Sequence, residues 1–281
     1  MKRPIELMFK QKLKKQWRCK TMTSLRSRNE QKNILITGAS SGIGEALAWA
    51  CAKRGMNLAL VARRLDRLEN LAERIRERYQ VQVEVAALNI CDSEKIMPIF
   101  MGFSELLGRI DIVVANAGIL KSRKVGDGRI ERDAQVFETN VMGAIATSEG
   151  AISMFRMQGR GGHLAVISSY SAFMPLPSGA AYSASKAAVS SYFNAVRSPL
   201  LRENIGLSLI YPGFVSTDLL QGFNSHGLPI IAKAKDVAEE ILTAILAKKK
   251  NAIVPRLPWA VLYQMQKLVP NALLASVQKY L

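Results

Sequence analysis

From Asn33 onward the chain alternates short apolar runs with stretches of about 15 to 20 residues whose apolar positions recur at helical spacing. The runs Asn33–Thr37, Asn57–Val61, Gln82–Leu88, Ile110–Ala115, His163–Ser168 and Gly206–Tyr211 are rich in Val, Ile and Leu. Strands buried on both faces of a parallel sheet read this way, and Ala252–Val254 offers a seventh. Between them the pattern predicts helices over Gly42–Arg54, Arg67–Tyr79, Ser93–Leu107, Arg132–Met157, Ala180–Asn204 and Lys235–Ala247. Strand and helix in repeated alternation predict an α/β fold with a doubly wound parallel sheet of about seven strands and helices on both faces. In such sheets ligands bind beyond the C-terminal strand ends, where the strand order reverses.

The two ends of the chain follow other patterns. Before the first strand, Ile5, Phe9, Leu13 and Trp17 recur every fourth residue among Lys10, Lys12, Lys14, Lys15 and Arg18. That spacing suits a basic amphipathic helix at a membrane surface or an organellar transit peptide, and a solvated tail ahead of the fold is the plainer alternative. The longest apolar run there is Leu7-Met8-Phe9, too short for a secretory signal or a membrane span. After the last strand, Pro258 and Pro270 open two segments in which Val261, Leu262, Met265, Leu268 and Val269, then Leu273, Leu274, Val277 and Leu281, form apolar stripes. Two short helices are expected, their stripes buried on the domain, on a partner subunit, at a membrane surface or over a substrate pocket. The expected organisation is a basic extension over 1–32, a single Rossmann-type domain over 33–255 and an amphipathic helical segment over 256–281.

Composition narrows this picture. Apolar residues are 49% and charged residues 22% of the 281, values of a folded chain and not of a disordered one. The net charge of +17 would point to nucleic acid or an anionic surface, but residues 1–29 hold ten Lys or Arg against the single acid Glu6. More than half of the imbalance therefore belongs to the extension, and nucleic acid is not expected as a partner. Three scattered cysteines, Cys19, Cys51 and Cys91, form no CxxC pair, which suits a reducing, cytoplasmic setting, with membrane association left open by the two ends. The two histidines, His163 and His226, stand apart from any cluster of ligand-type residues, so no metal is expected.

Candidate chemistry begins after the first strand, in Thr37-Gly38-Ala39-Ser40-Ser41-Gly42-Ile43-Gly44, a turn with three glycines running into a helix. Missing side chains let the backbone approach a pyrophosphate, and the helix N-terminus offers unpaired N–H groups and a positive dipole end. The spacing is GxxxGxG and not GxGxxG, and a plain strand-to-helix turn can look the same. The second strand ends on Ala62-Arg63-Arg64. A site for NAD(H) places an acid there for the ribose hydroxyls, whereas a 2′-phosphate calls for a cation, so Arg63 and Arg64 favour NADP(H), with a solvated basic loop as the alternative.

Downstream, Tyr182 and Lys186 are four residues apart, on one helical face and one turn from each other. A free phenol titrates at about 10, so acid–base work at neutral pH costs about 4 kcal/mol unless positive charge stabilises the phenolate. Lys186 and an oxidised nicotinamide ring are the expected sources of that charge. Alone, such a pair is equally a core edge beside a solvated cation.

Taken together, Thr37-Gly38-x-x-x-Gly42-x-Gly44, Asn116-Ala117-Gly118 after the fourth strand, Asn140 in the next helix, Ser169, Tyr182-x-x-x-Lys186 and Pro212-Gly213 after the sixth strand resemble the classical short-chain dehydrogenase/reductase family. The likeness runs from about Asn33 to Val254. It implies that Tyr182 is the general acid/base, that Lys186 lowers its pKa and holds the nicotinamide ribose, and that Ser169 hydrogen-bonds the substrate oxygen. It implies also that Asn140 holds a water in a proton relay. Asn116, Ala117 and Gly118 would support the sheet and the adenosine pocket, and Pro212, Gly213, Val215 and Thr217 would receive the nicotinamide end. Ser40, Ser41 and Ile43 fall in the coenzyme turn with Gly38, Gly42 and Gly44. Ser168 and Ser171 compete with Ser169, which is preferred because it lies thirteen residues before Tyr182, the spacing usual in the family. Asn89-Ile90 departs from the family's usual Asp-Val at the adenine, although an Asn oxygen can still accept from the adenine amine. Ser41 departs from the basic residue that many NADP(H) members carry.

Tyr170, Phe173, Met174, Leu176, Phe214, Leu219, Leu220 and Phe223 surround the expected reaction centre, and no Lys or Arg lies between Gly162 and Ser185. They predict a hydrophobic carbonyl or alcohol substrate, unless they are simply core packing. The expected activity is hydride transfer between NADP(H) and that group, in a homodimer or homotetramer. The alternative is a domain that binds NADP(H) as a sensor or scaffold without turnover.

Overall fold

The computed structural model describes residues 31–124, 126–176, 179–220 and 231–266. The extension through residue 30 and the second C-terminal segment lie outside the described residues. The elements are β1 (Asn33–Thr37), α1 (Gly42–Lys53), β2 (Asn57–Ala62), α2 (Leu65–Arg78), β3 (Val83–Ala87), α3 (Ser93–Leu107) and β4 (Ile112–Ala115). They continue with α4 (Ile130–Phe137), α5 (Gly143–Gln158), β5 (Gly162–Ile167), α6 (Ala180–Arg202), β6 (Ile205–Pro212), α7 (Ala234–Leu246), β7 (Asn251–Val254) and α8 (Arg256–Gln266).

The seven strands form one parallel sheet in the order β3-β2-β1-β4-β5-β6-β7. This is the Rossmann-type single domain that the alternation predicts. Alternation within β1 sends Ile34 and Ile36 to a core with Leu47 of α1, Leu68 of α2 and Ile241 of α7, and Leu35 to the other core with Phe100, Phe103, Phe155 and Phe193. Each of these side chains is fully buried, and each contributes roughly 1.5–3 kcal/mol by leaving water. The order reverses between β1 and β4, so a crevice opens at their C-terminal ends.

Three local differences from the pattern have visible causes. β4 begins at Ile112 and not Ile110, because the main chain of Ile110 pairs with a side chain: its N–H donates to Gln158 Oε1 at 2.7 Å and its carbonyl accepts from Gln158 Nε2 at 2.9 Å. The helix expected over Arg132–Met157 is broken by a π-helical turn at Glu138–Met142, which turns Asn140 inward to 1% exposure. Apolar spacing alone does not reveal such an insertion. In α8 the aliphatic stripe is not the packed face. Val261, Leu262 and Met265 are exposed, while Trp259 is buried against Tyr170 and Tyr263 packs on Phe173.

Candidate active site

The crevice is a cleft of about 330 Å³ that runs from Ala62, Arg63 and Arg64 past the glycine turn to Ser169, Tyr182 and Lys186. Its adenosine-side wall is built by β1 and β4 together. Thr37 Oγ1 accepts from the main-chain N–H groups of Asn116 at 3.0 Å and Ala117 at 3.1 Å, and Asn116 Nδ2 donates to the Thr37 carbonyl at 2.9 Å. The turn packs so closely that a Cβ on Gly44 would fall on the Gly38 carbonyl and the Asn116 amide. Ser41 caps α1 by position only, its side chain making no hydrogen bond to the helix, so the first N–H groups of that helix stay available to an anion.

Arg64 Nη2 donates to Ser40 Oγ at 3.1 Å and Ser41 Oγ at 3.0 Å, which draws a guanidinium and two hydroxyls into one cluster beside the turn. Asn89 and Ile90 line the cleft from the end of β3. This donor set of bare backbone, helix N-terminus, guanidinium and hydroxyls fits a dinucleotide phosphate chain.

At the far end, β5 delivers Ser168 and Ser169 beside α6. Ser168 Oγ turns away from the reaction centre, donating to the Lys186 carbonyl at 3.0 Å and pairing with Ser190 Oγ at 2.8 Å. Ser169 is the N-cap of the 3₁₀ turn Tyr170–Ala172, and its Oγ accepts from Ser171 N at 3.1 Å and Ser171 Oγ at 2.9 Å. Tyr182 and Lys186 are both buried on α6, with the Lys186 ammonium 5.8 Å from the phenol ring centroid. Lys186 Nζ donates to the Ile167 carbonyl at 2.9 Å.

Burial dominates the electrostatics of this pair. Burial holds the Tyr182 phenol above its ordinary range, and Ser169 is the group that opposes the rise. Burial also pushes Lys186 down to about 8, so it is still mostly charged at neutral pH. Around Tyr182 burial thus outweighs the hydrogen bond from Ser169, and a phenol held in this direction stands protonated at neutral pH, the form of a proton donor.

Asn140 does not line the cleft. Its Oδ1 accepts from Ile119 N at 2.8 Å, and its Nδ2 donates to the Ile119 carbonyl at 2.9 Å and to Ser185 Oγ at 3.0 Å. The carboxamide thus ties the loop after β4 to α6, and Gly118 sits directly against Asn140 Oδ1 and Lys186 Nζ. Gly44 likewise stands behind the cleft wall, while the remaining expected coenzyme residues, including Pro212, Gly213, Val215 and Thr217, line it.

Of the expected substrate residues, Leu176, Phe214 and Leu219 line the cleft. Tyr170 and Phe173 instead join an aromatic cluster with Trp259, Tyr211 and Tyr263, at centroid distances of 4.6 to 4.8 Å. Phe223 lies outside the described residues. Reading the sequence missed Trp259, whose indole packs so tightly on Gly213 that a Cβ there would collide with it. Nothing local announces a contact between residues so far apart in the chain. Among the described residues no group of three or more His, Cys, Asp or Glu side chains could hold a metal, and no helix is long and apolar enough to cross a membrane.

A family profile described as short chain dehydrogenase matches residues 32–227. The chain belongs to the short-chain dehydrogenase family. It is 36% identical over 245 residues to an uncharacterised oxidoreductase of Mycobacterium tuberculosis, covering 86% of this chain and 96% of that protein. It is also 36% identical over 223 residues to 11-beta-hydroxysteroid dehydrogenase A of Sesamum indicum, covering 79% of this chain and 63% of that one. Among solved structures, a short-chain dehydrogenase from Sphingobium yanoikuyae in complex with NADPH superposes with a TM-score of 0.74 at 26% identity, over 87% of this chain and 95% of that chain. As a member of this family the protein is an oxidoreductase with a nucleotide-binding Rossmann-type fold.

Proposed function

We propose that this oxidoreductase is an NADP(H)-dependent reductase of hydrophobic carbonyl compounds, able to run in reverse on the corresponding alcohols. The observation that carries the reading is the burial of Ser169, Tyr182 and Lys186 together at one end of a cleft whose other end gathers Arg64, Ser40 and Ser41. A bound nicotinamide coenzyme supplies the hydride to the carbonyl carbon. Tyr182 donates its phenolic proton to the carbonyl oxygen, and its raised pKa ensures that it holds that proton at neutral pH. Ser169 donates a hydrogen bond to the same oxygen and stabilises the charge that develops on it. Lys186, anchored on Ile167, keeps a positive charge beside the phenol as its proton leaves. Asn140, whose carboxamide is engaged with Ile119 and Ser185, holds the loop after β4 against α6 and so fixes the helix that carries Tyr182 and Lys186.

The preference for NADP(H) is supported by Arg63 and Arg64 at the end of β2, where a 2′-phosphate would meet a guanidinium. An apolar substrate is supported by Leu176, Phe214 and Leu219 in the wall, and by the steroid named for the sesame relative. A homodimer or homotetramer belongs to the same reading, supported by exposed Ile130, Phe137 and Met142 along α4 to α5; light scattering after gel filtration would overturn it with a monomer mass. Peripheral contact with a membrane from a cytoplasmic location, through Leu257, Val261 and the basic extension, is tested by liposome flotation with and without residues 1–29.

The deciding experiment follows NADPH absorbance with benzaldehyde, cyclohexanone and decanal, for the wild type and Tyr182→Phe. Turnover is expected in the wild type, with a loss of about 10²- to 10⁴-fold in the variant at unchanged NADPH affinity. A variant that turns over at the wild-type rate would remove Tyr182 from the chemistry. Tight NADPH binding with no turnover on any carbonyl would favour the non-catalytic sensor.

A further inference from the structure

Ser169 reaches the cleft with its acceptor side already taken. A serine hydroxyl has two lone pairs and one hydrogen. Both lone pairs of Ser169 Oγ face Ser171, one accepting the main-chain N–H at 3.1 Å and the other the Ser171 hydroxyl at 2.9 Å. Ser171 is buried at 5% exposure and does not itself line the cleft. Among the described residues it meets the reaction centre through Ser169.

We propose that Ser171 is a positioning residue: by filling the acceptor side of Ser169 Oγ it compels Ser169 to present its proton into the cleft, toward the Tyr182 oxygen and a substrate carbonyl. The inference rests on the reading of Ser169 and Tyr182 as the groups that hold the reacting oxygen. Without the Ser171 hydroxyl, Ser169 regains a free lone pair, and its hydrogen is no longer forced toward the phenol. The main-chain N–H of Ser171 alone leaves that choice open, because it occupies one lone pair and not both.

The consequence is read at Tyr182. The groups around the phenol are Lys186 from its own helix, Ser169 from the end of β5, and apolar Val136 of α4, Ile119 and Leu120 after β4, and Leu219 after β6. Ser169 is thus the uncharged donor among these neighbours. A donor aimed at the phenol oxygen stabilises the phenolate and lowers its pKa, so loss of that aim moves the titration upward.

The test needs no physiological substrate. Phenolate formation at Tyr182 is measured by ultraviolet difference absorbance with NADP⁺ bound, taking Tyr182→Phe as the blank, in the wild type, Ser169→Ala, Ser171→Ala and Ser171→Cys. The cysteine variant keeps the volume and weakens the donor, so it decides the matter if the alanine variant folds poorly. The expected result is an upward move of about half a pH unit in both Ser171 variants, with at least as large a move in Ser169→Ala. Reduction of benzaldehyde or whichever panel carbonyl is turned over should fall roughly tenfold in kcat, with KM for NADPH and Tm unchanged. An unchanged titration in folded Ser171→Cys, while Ser169→Ala moves, overturns the role of Ser171. No movement in Ser169→Ala removes the Ser169 reading itself, and this inference with it.

Discussion

Arg64 shows how much one side chain can decide. Its guanidinium holds the hydroxyls of Ser40 and Ser41 at 3.1 and 3.0 Å, so the three donors stand together at the end of the cleft away from Tyr182. Arg64→Ala is expected to weaken NADPH binding about 10- to 100-fold, the worth of one or two charge-assisted hydrogen bonds, while NADH binding stays within a factor of a few. Fluorescence titration with both coenzymes checks it, and equal losses for the two would show that Arg64 supports the fold and not a phosphate. Lys186 sets a second residue-scale expectation. Burial leaves it charged below about pH 8 and neutral above, so kcat/KM for carbonyl reduction should hold through neutral pH and decline as pH rises through that value. The positions of Arg64, Tyr182 and Lys186 are legible in the sequence, because a strand end and a helical i, i+4 spacing are local features. The direction of the Tyr182 shift is not, because desolvation depends on what the remainder of the chain packs around the phenol.

At the scale of elements, α8 and the loop after β6 depend on each other. Trp259 is buried against Gly213, with Phe214 at a centroid distance of 5.3 Å and Tyr170 at 4.8 Å. A methyl group at residue 213 has no room unless the indole moves, and overpacking of this kind costs about 1–3 kcal/mol. Gly213→Ala should therefore lower stability by that amount in urea unfolding and weaken coenzyme binding with it, since Gly213 lines the cleft. The double variant Gly213→Ala with Trp259→Phe should recover part of both losses, and additive losses would mean the two residues do not interact. The strands and most helix limits follow from apolar spacing, including α3 at Ser93–Leu107. The π turn at Glu138–Met142 and the inward face of α8 do not. The first is a change of hydrogen-bond register that apolar spacing does not reveal, and the second is chosen by aromatic neighbours from two other parts of the chain, Tyr170 with Phe173 and Phe214.

Across the whole molecule, His163 links the middle of the sheet to its edge. Its Nε2 lies 2.9 Å from Ser208 Oγ on β6, and Ser208 donates to the Lys249 carbonyl just before β7, so the imidazole Nε2 is the donor to Ser208. Burial lowers its pKa from 6.5 to about 4. The folded state therefore binds fewer protons than the unfolded chain between those values, and stability rises with pH across that window. Acidification from pH 6.5 to 4 should remove roughly 3 kcal/mol, and His163→Gln should flatten that part of the Tm profile; an unaltered slope would assign acid sensitivity to other groups. The sequence by itself determined the order of strands and helices, the glycine turn at their first junction and the shared face of Tyr182 and Lys186, because each follows from rules acting over a few residues. Tertiary structure alone decided that the Asn140 carboxamide is engaged with Ile119 and Ser185, that burial pushes the Tyr182 phenol up, and that Trp259 seals the loop at Gly213. Those outcomes depend on distances and desolvation among segments that meet only when the sheet closes around them.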